Sequence, residues 1–230
     1  MHIYADEWGN TGKDIFAAPD MYYSGAILAA QPIDDFVGPV LSRFMTDLGV
    51  SEIHASHLAR GFSPGKVAEI ADALITAIDD GTRWSLHVTA IHKPYLATTK
   101  FVDTIFDSGE NLGVRPQWYL HQYFRHAICC VIDDMLTPLN RKRFWFGYIG
   151  GNREELKGSV RNALTYLDQY AKDKRLREVV RDALQFAVRH PEQFAIPRTR
   201  RDYRGETPNL VAFGNIMGGD AAKELIRLPL

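Results

Sequence analysis

The sequence predicts a mixed α/β fold, and three observations lead to it. Two segments rich in strand-forming residues, 2–6 and 21–30, open the chain on either side of a glycine turn at 9–12. Two further strand-like segments, 83–92 and 143–149, then alternate with amphipathic helices. A dinucleotide-binding fold would place a helix directly after the glycine turn, whereas here a second strand follows it. This order favours a mixed sheet flanked by helices.

Helical spacing of apolar residues predicts the elements between and after these strands. Ser63 followed by Pro64 is typical of a helix start, and Asn152 with Glu155 three residues later resembles a capping box. The predicted helices cover 34–48, 64–81, 116–136 and 152 to about 190. The remaining segments are interpreted as looser chain at 94–115, a polar loop at 196–207 and a short closing helix at 208–217.

The composition is that of an ordinary globular domain. Of the 230 residues, 46% are hydrophobic and 24% are charged, which excludes disordered, collagen-like and coiled-coil proteins. No internal repeat, low-complexity segment or linker interrupts the chain. Because one domain is more common than two at this length, we expect a single domain over 1–230 with a helical C-terminal part.

Several features favour a cytoplasmic protein without a membrane partner. No apolar run approaches the roughly 20 residues that a membrane-spanning helix needs. The opening MHIYADEWG lacks the basic and apolar regions of a secretory signal. Cys129 and Cys130 are adjacent and cannot connect distant elements, so a reducing compartment fits best. Thiol catalysis by this pair is an alternative to the more common interpretation as buried helical cysteines.

Charge is unevenly distributed, although the formal net charge is only −1. Residues 1–60 carry three basic and eight acidic residues, whereas 172–204 carry ten basic and five acidic ones. Four arginines close the basic region beside Tyr203: Arg198, Arg200, Arg201 and Arg204. An acidic metal-binding cluster and a phosphate-binding surface would give this distribution, and so would an ordinary solvated helix and loop.

Two short segments hold the candidate catalytic and metal-binding residues. Asp6 and Glu7 end the first predicted strand and point to opposite faces, so at most one of them joins a given site. In the segment EIHASH, Glu52 and His54 share a face if it is a strand, and His54 and His57 share one if it is a helix. A carboxylate and an imidazole on one face can bind a divalent metal or transfer a proton. For Asp6 and Glu7, an ordinary polar strand end before a turn is the alternative.

The opening IYADEWGNTG resembles the start of the domain-of-unknown-function 3800 family, whose members begin with a strand ending in Asp-Glu-Ser-Gly and a short glycine turn. The later EIHAS resembles that family's second motif, an acidic residue followed shortly by His or Lys. The family is regarded as RNase H-like, with a mixed sheet whose first strand carries a metal-binding aspartate. It is frequent in bacterial and phage genomes, often near mobile or defence elements. The resemblance therefore implies an RNase H-like fold over the whole chain.

The resemblance also implies roles for individual residues. Asp6 and Glu52 would hold Mg²⁺ or Mn²⁺, and His54 would position water or the leaving group. The chain would then be a metal-dependent nuclease acting on nucleic acid phosphodiesters. The arginines at its basic end would grip backbone phosphates: Arg198, Arg200, Arg201 and Arg204.

Departures from the family pattern favour an alternative. Trp8 stands where the family usually has Ser, and the segment FWFGYI has no acidic residue where many members place an aspartate. The closing PNLVAFGN offers Asn209 and Asn215 but no carboxylate before Asp220. A third acid would have to come from 103–107, 133–134 or 220. Without it, the chain would be a degenerate RNase H-like scaffold that binds nucleic acid, a partner protein or a second copy. A third hypothesis, a metal-dependent hydrolase of a small substrate, depends only on Glu52, His54 and His57.

Overall fold

The computed structural model describes residues 1–9, 13–53, 63–194, 196, 207–208, 211–212 and 214–215. Within these ranges the strands are β1 (His2–Trp8), β2 (Met21–Ala29) and β3 (Trp84–His92). The helices are α1 (Asp34–Leu48), α2 (Pro64–Gly81), α3 (Lys93–Ile105), α4 (Pro116–Leu120), α5 (Gln122–Met135), α6 (Pro138–Ile149), α7 (Arg153–Tyr170) and α8 (Lys174–Arg189), followed by a 3-10 turn at Pro191–Gln193. The fold is mixed α/β and mostly helical.

The three strands form a small antiparallel sheet in the order β1-β2-β3. Each strand therefore pairs with its neighbour in sequence, and β2 lies in the centre. Side chains alternate along β2, where Tyr22, Ser24, Ala26 and Leu28 are buried on one face. Within the described chain β1 is an edge strand, and its last residues, from Ala5 onward, are exposed.

Contacts divide the chain into two compact units. Of the described residues, the first unit contains 1–7, 24–53, 63–89 and 214–215, and the second contains 8–9, 13–23, 90–194, 196, 207–208 and 211–212. The division falls within all three strands. The expectation of a single domain over the whole chain remains a prediction.

In the first unit, α1 and α2 cover part of the sheet. Ala29, Ile33 and Ile78 form a buried cluster against which Tyr4 and Trp84 pack. The Ser63 side chain accepts a hydrogen bond from the Lys66 amide, and Pro64 occupies the first helical position, as its sequence pattern predicts. The predicted helices at 34–48 and 64–81 and the strand at 83–92 are confirmed.

The second unit is built around a helical core. Its centre consists of large apolar side chains from α3 and from α5 to α8, among them Phe101, Ile128, Ile132, Phe144, Leu156, Val160, Val180 and Leu184. Asn111, in the loop after α3, is buried, and its side-chain amide donates to the carbonyls of Ile105 and Ala183. Because a buried amide without partners is costly, these bonds fix the loop against α8.

The predicted strand at 143–149 is wrong, since this segment forms most of α6. Phe144, Trp145 and Tyr148 are buried while Phe146 is exposed, a pattern that follows the period of a helix. The Thr137 side chain caps the helix by accepting from the Asn140 amide, with Pro138 at its first position. The aromatic and apolar composition alone suggested a strand, but these capping signals decide the structure.

Two other predictions differ from the structure. The stretch at 94–115 begins with a regular helix, α3, in which Ala97, Phe101 and Ile105 recur every four residues on a buried face. Its threonines and Asp103 hide that pattern in the sequence. The long helix predicted at 116–136 is two helices, because His121 is extended (φ −84°, ψ 117°) between α4 and α5.

Gly9 has a backbone conformation that other residues rarely adopt. Its φ is +119°, and a Cβ added there would lie 3.1 Å from the Met21 carbonyl oxygen and 3.3 Å from the Tyr22 Cα. Both the dihedral angle and the close approach of the β2 backbone require glycine. The glycine in the opening motif therefore has a structural cause.

We expect Gly9→Ala to lower the free energy of unfolding by about 1–3 kcal/mol, through backbone strain and the contact with Met21. Gly25→Ala is the matched control, because its added Cβ would meet no atom within 4 Å. That control should change stability by less than about 0.5 kcal/mol. Urea unfolding of the three proteins measures both values. Equal losses for the two variants would contradict the argument.

Candidate functional site

Asp6 lies on the edge strand β1 with an exposed side chain. Its Oδ1 accepts a hydrogen bond from the Glu7 amide at 2.8 Å, and its main-chain carbonyl accepts one from the buried Ser24 hydroxyl at 3.5 Å. Oδ2 has no hydrogen-bond partner among the residues that the structure describes. One carboxylate oxygen is therefore held by the backbone, and the other can bind a hard cation such as Mg²⁺.

The alternation of β1 determines which face carries Asp6. Tyr4, two residues earlier, shares that face and packs against the cluster formed with α1. The Tyr4 hydroxyl donates to Asp34 Oδ2 at 2.7 Å and accepts from the Ile33 amide at 3.1 Å. The bond to the Asp34 carboxylate raises the pKa of Tyr4. Asp6 is therefore the next residue of β1 on this face after Tyr4, which packs against the cluster formed with α1.

Glu52 lies in the same compact unit as Asp6, in the turn that follows α1. Gly49 ends α1 in the left-handed conformation, and the Glu52 side chain is exposed three residues later. His54 and His57 lie outside the described residues. The grouping of Asp6, Glu52 and His54 remains a prediction.

The arginines predicted to bind nucleic acid also lie outside the described part of the chain: Arg198, Arg200, Arg201 and Arg204. The same holds for Asn209 and Asp220, which close the family-like pattern. Asn215 is described and exposed. The role predicted for these arginines remains a prediction.

No group of three or more histidine, cysteine or acidic side chains that could hold a metal ion occurs within the described ranges. Three other acids proposed as a third ligand have structural partners in the second unit, whereas Asp134 is exposed on α5. Asp103 pairs with Arg125, and Asp133 accepts from the Thr98 hydroxyl at 2.7 Å and pairs with Arg141 at 3.0 Å. Asp107 accepts from the Gly109 amide in the turn after α3. These contacts hold helices and turns together.

The two cysteines of α5 have different environments. Cys129 is buried, and Cys130 is exposed with its Sγ 3.7 Å from His126 Nε2. Burial, and then the negative charge of Asp103, raises the pKa of Cys129 to about 11. The interpretation as buried helical cysteines is confirmed for Cys129 only.

Sequence reasoning missed a cleft in the second unit. Its volume is about 240 Å³. It is lined by residues from the loop after α3, from α4 and from α8: Gly113, Arg115, Trp118, Arg175, Glu178, Val179 and Asp182. About sixty residues of sequence separate the two sides, so no local motif marks the site. The one available signal was the basic composition that begins near residue 172.

Comparison of the chain with family models, with curated proteins and with solved structures finds no match. The resemblance described above therefore depends on the two motifs, DEWG and EIHAS. Of the helices that the structure describes, none is both long enough and apolar enough to cross a membrane.

The thiol environments lead to a prediction about alkylation. At pH 8 the thiolate fraction of Cys129, with a pKa of about 11, is on the order of one in a thousand. Because Cys129 is also buried, iodoacetamide should label Cys130 alone in the native protein. Mass spectrometry of Cys130→Ser should then show no native labelling, whereas Cys129→Ser should be labelled like the parent protein. Rapid labelling of Cys130→Ser below pH 9 would contradict the assignment.

Proposed function

We propose that the chain is a metal-dependent nuclease of the RNase H-like type that acts on nucleic acid phosphodiesters. The observation that carries this proposal is the position of Asp6, an exposed carboxylate on the first strand of an antiparallel sheet. The strand then leads to Gly9, whose conformation requires glycine. A first strand with an aspartate before a glycine turn is what the family resemblance implies.

The chemistry of the available donors is compatible with Mg²⁺ or Mn²⁺. Both ions prefer carboxylate oxygens, and Mn²⁺ accepts an imidazole nitrogen more readily than Mg²⁺ does. Asp6 and Glu52 would be the carboxylate ligands. A bound ion supplies an activated water and stabilises negative charge on the phosphate in the transition state. The bond from the Glu7 amide to Asp6 Oδ1 orients the carboxylate before anything binds.

The remaining residues have supporting roles in this proposal. His54 would position water or the leaving group beside the metal ligands. The basic C-terminal segment would neutralise backbone phosphates: Arg198, Arg200, Arg201 and Arg204. The metal ligands would come from the acidic residues of 1–60. The distribution of charge then has a functional reason.

A second candidate function is that of a degenerate RNase H-like scaffold that binds nucleic acid, a partner protein or a second copy of the chain. The observation that favours it is that three candidate third ligands have structural partners: Asp103 and Asp133 pair with arginines, and Asp107 accepts from the Gly109 amide. Two carboxylates alone hold two divalent ions poorly, because too little negative charge remains to offset their repulsion. The two candidates differ in whether the chain cleaves what it binds.

Under the first proposal, the purified protein should cleave single- or double-stranded DNA or RNA with Mg²⁺ or Mn²⁺. Cleavage should stop when a chelator is added. Asp6→Asn should lower the rate roughly 100-fold or more, since a metal ion contributes several kcal/mol to such reactions. Asp72→Asn is the matched control and should leave the rate unchanged, because Asp72 is an exposed carboxylate on α2. Circular dichroism should show that both variants fold.

Two results would contradict the nuclease proposal. Cleavage that survives both the chelator and Asp6→Asn would come from another site or a contaminant. No cleavage of any substrate, with no metal binding by calorimetry, would leave the scaffold as the better proposal.

Binding at the C-terminal arginines has its own test. Replacing Arg198, Arg200, Arg201 and Arg204 together by Gln should weaken nucleic acid binding and reduce the slope of log K against log salt concentration. If each contacts one phosphate, the reduction on single strands is about 3. Titrations at several salt concentrations measure the slope. An unchanged affinity and an unchanged slope would show that this segment does not bind phosphates.

A further inference from the structure

The cleft of the second unit lies where the loop after α3 approaches α8 closely. A Cβ added at Gly113 would lie 2.8 Å from the Asp182 carbonyl oxygen and 3.1 Å from the Phe186 Cβ. Only glycine permits this approach, because any side chain would push the loop away from α8. The close contact brings Arg115 and Trp118 to one side of the cleft and Arg175 to the other.

The charged side chains of the cleft are not used for structure. Arg115 and Arg175 are exposed, and neither guanidinium has a hydrogen bond or ion pair with any described residue. In contrast, Arg177 and Arg181 on the same helix both pair with Asp168. Two unpaired guanidinium groups at the edges of a cleft are typical of phosphate recognition.

The carboxylates Glu178 and Asp182 also line the cleft without an ion pair among the described residues. They repel phosphate, so a phosphate would bind on the arginine side. Each can accept a hydrogen bond from the exocyclic amino group of a base, as acidic side chains do with cytosine. The arrangement therefore suits a ligand that carries both an anionic and a hydrogen-donating aromatic part.

Aromatic rings continue from the cleft across the neighbouring surface. The Trp118 ring centroid lies 4.8 Å from that of Phe124, which lies 5.0 Å from His121. His121 in turn lies 5.6 Å from Tyr123, whose side chain is 78% exposed. The break between α4 and α5 at His121 allows these four rings to gather.

We propose that the cleft and this row of rings bind single-stranded nucleic acid. Trp118 and Tyr123 stack on bases, and Arg115 and Arg175 contact the adjoining phosphates. In a duplex the faces of the bases are covered by their neighbours, so this surface selects single strands. The inference rests on the proposed nuclease function and defines its substrate class.

Binding is measured by fluorescence anisotropy with a labelled single-stranded 12-mer of DNA or RNA, in chelator so that no cleavage occurs. Tyr123→Ala should weaken binding about 5- to 150-fold, the range for loss of one stacked base. Tyr123→Phe should bind like the parent protein, because the ring is retained. Tyr170→Ala, which removes a 38% exposed ring on α7, is the matched control and should have no effect.

The arginines are tested by salt dependence. Arg115→Gln with Arg175→Gln should reduce the slope of log K against log salt concentration by about 1.4, since single strands release about 0.7 counterion per contact. Lys157→Gln with Arg161→Gln on α7 removes the same charge elsewhere and should leave the slope unchanged. An unlabelled duplex of the same sequence should compete at least 10-fold less well than the single strand.

Three results would overturn the inference: no binding of single strands, equal competition by the duplex, or insensitivity of binding to Tyr123→Ala and to the double arginine variant. Its failure is distinguishable from failure of the nuclease. Cleavage that depends on Asp6 but not on Tyr123, Arg115 or Arg175 overturns this inference alone. Single-strand binding that depends on Tyr123 without any cleavage supports it and leaves the nuclease contradicted.

Discussion

The connection between β1 and β2 is held by two buried side chains of the second unit, Trp145 and Lys93. The Trp145 indole N–H donates to the Lys13 carbonyl, and the Lys93 ammonium donates to the Ala17 carbonyl, both at 2.7 Å. Ile15, Trp145 and Lys93 are almost completely buried. Both bonds are partly buried, so loss of either donor would remove a bond that water replaces only in part. The position of residues 13–17 therefore depends on residues far along the sequence.

The burial pattern of residues 143–149 is that of a helix. A strand would place Phe144, Phe146 and Tyr148 on one face, whereas Phe146 is exposed while Phe144 and Tyr148 enter the helical core. In α6, Trp145 is also buried and packs in a cluster with Ile15. Local features of the sequence predicted α1, α2, β3 and α7, because each of these carries its own cap or its own clear period. The α6 segment also carries its own cap, at Thr137 and Pro138, but its run of aromatic residues resembles a strand in composition.

The two candidate sites also differ in whether their residues are close together in the sequence. Asp6 and Gly9 could be found from the sequence, because the carboxylate and the turn that follows it are part of one short motif. The cleft could not be found in this way, because Gly113, Arg115 and Arg175 come from segments that only the folded chain brings together. The resemblance to a nuclease family implies carboxylate ligands, whereas the cleft combines aromatic rings and arginines.

The cleft is compatible with both proposed functions, since stacking and phosphate contacts need no metal ion. Metal-dependent catalysis requires several carboxylates around one site, and the loss of one ligand is enough to abolish the activity. Binding energy is instead shared among rings and arginines, each of which contributes part of the total. A chain that had lost its third acidic ligand would thus still recognise single strands. Retention of nucleic acid binding without cleavage is therefore the physical outcome that a degenerate scaffold of this fold should show.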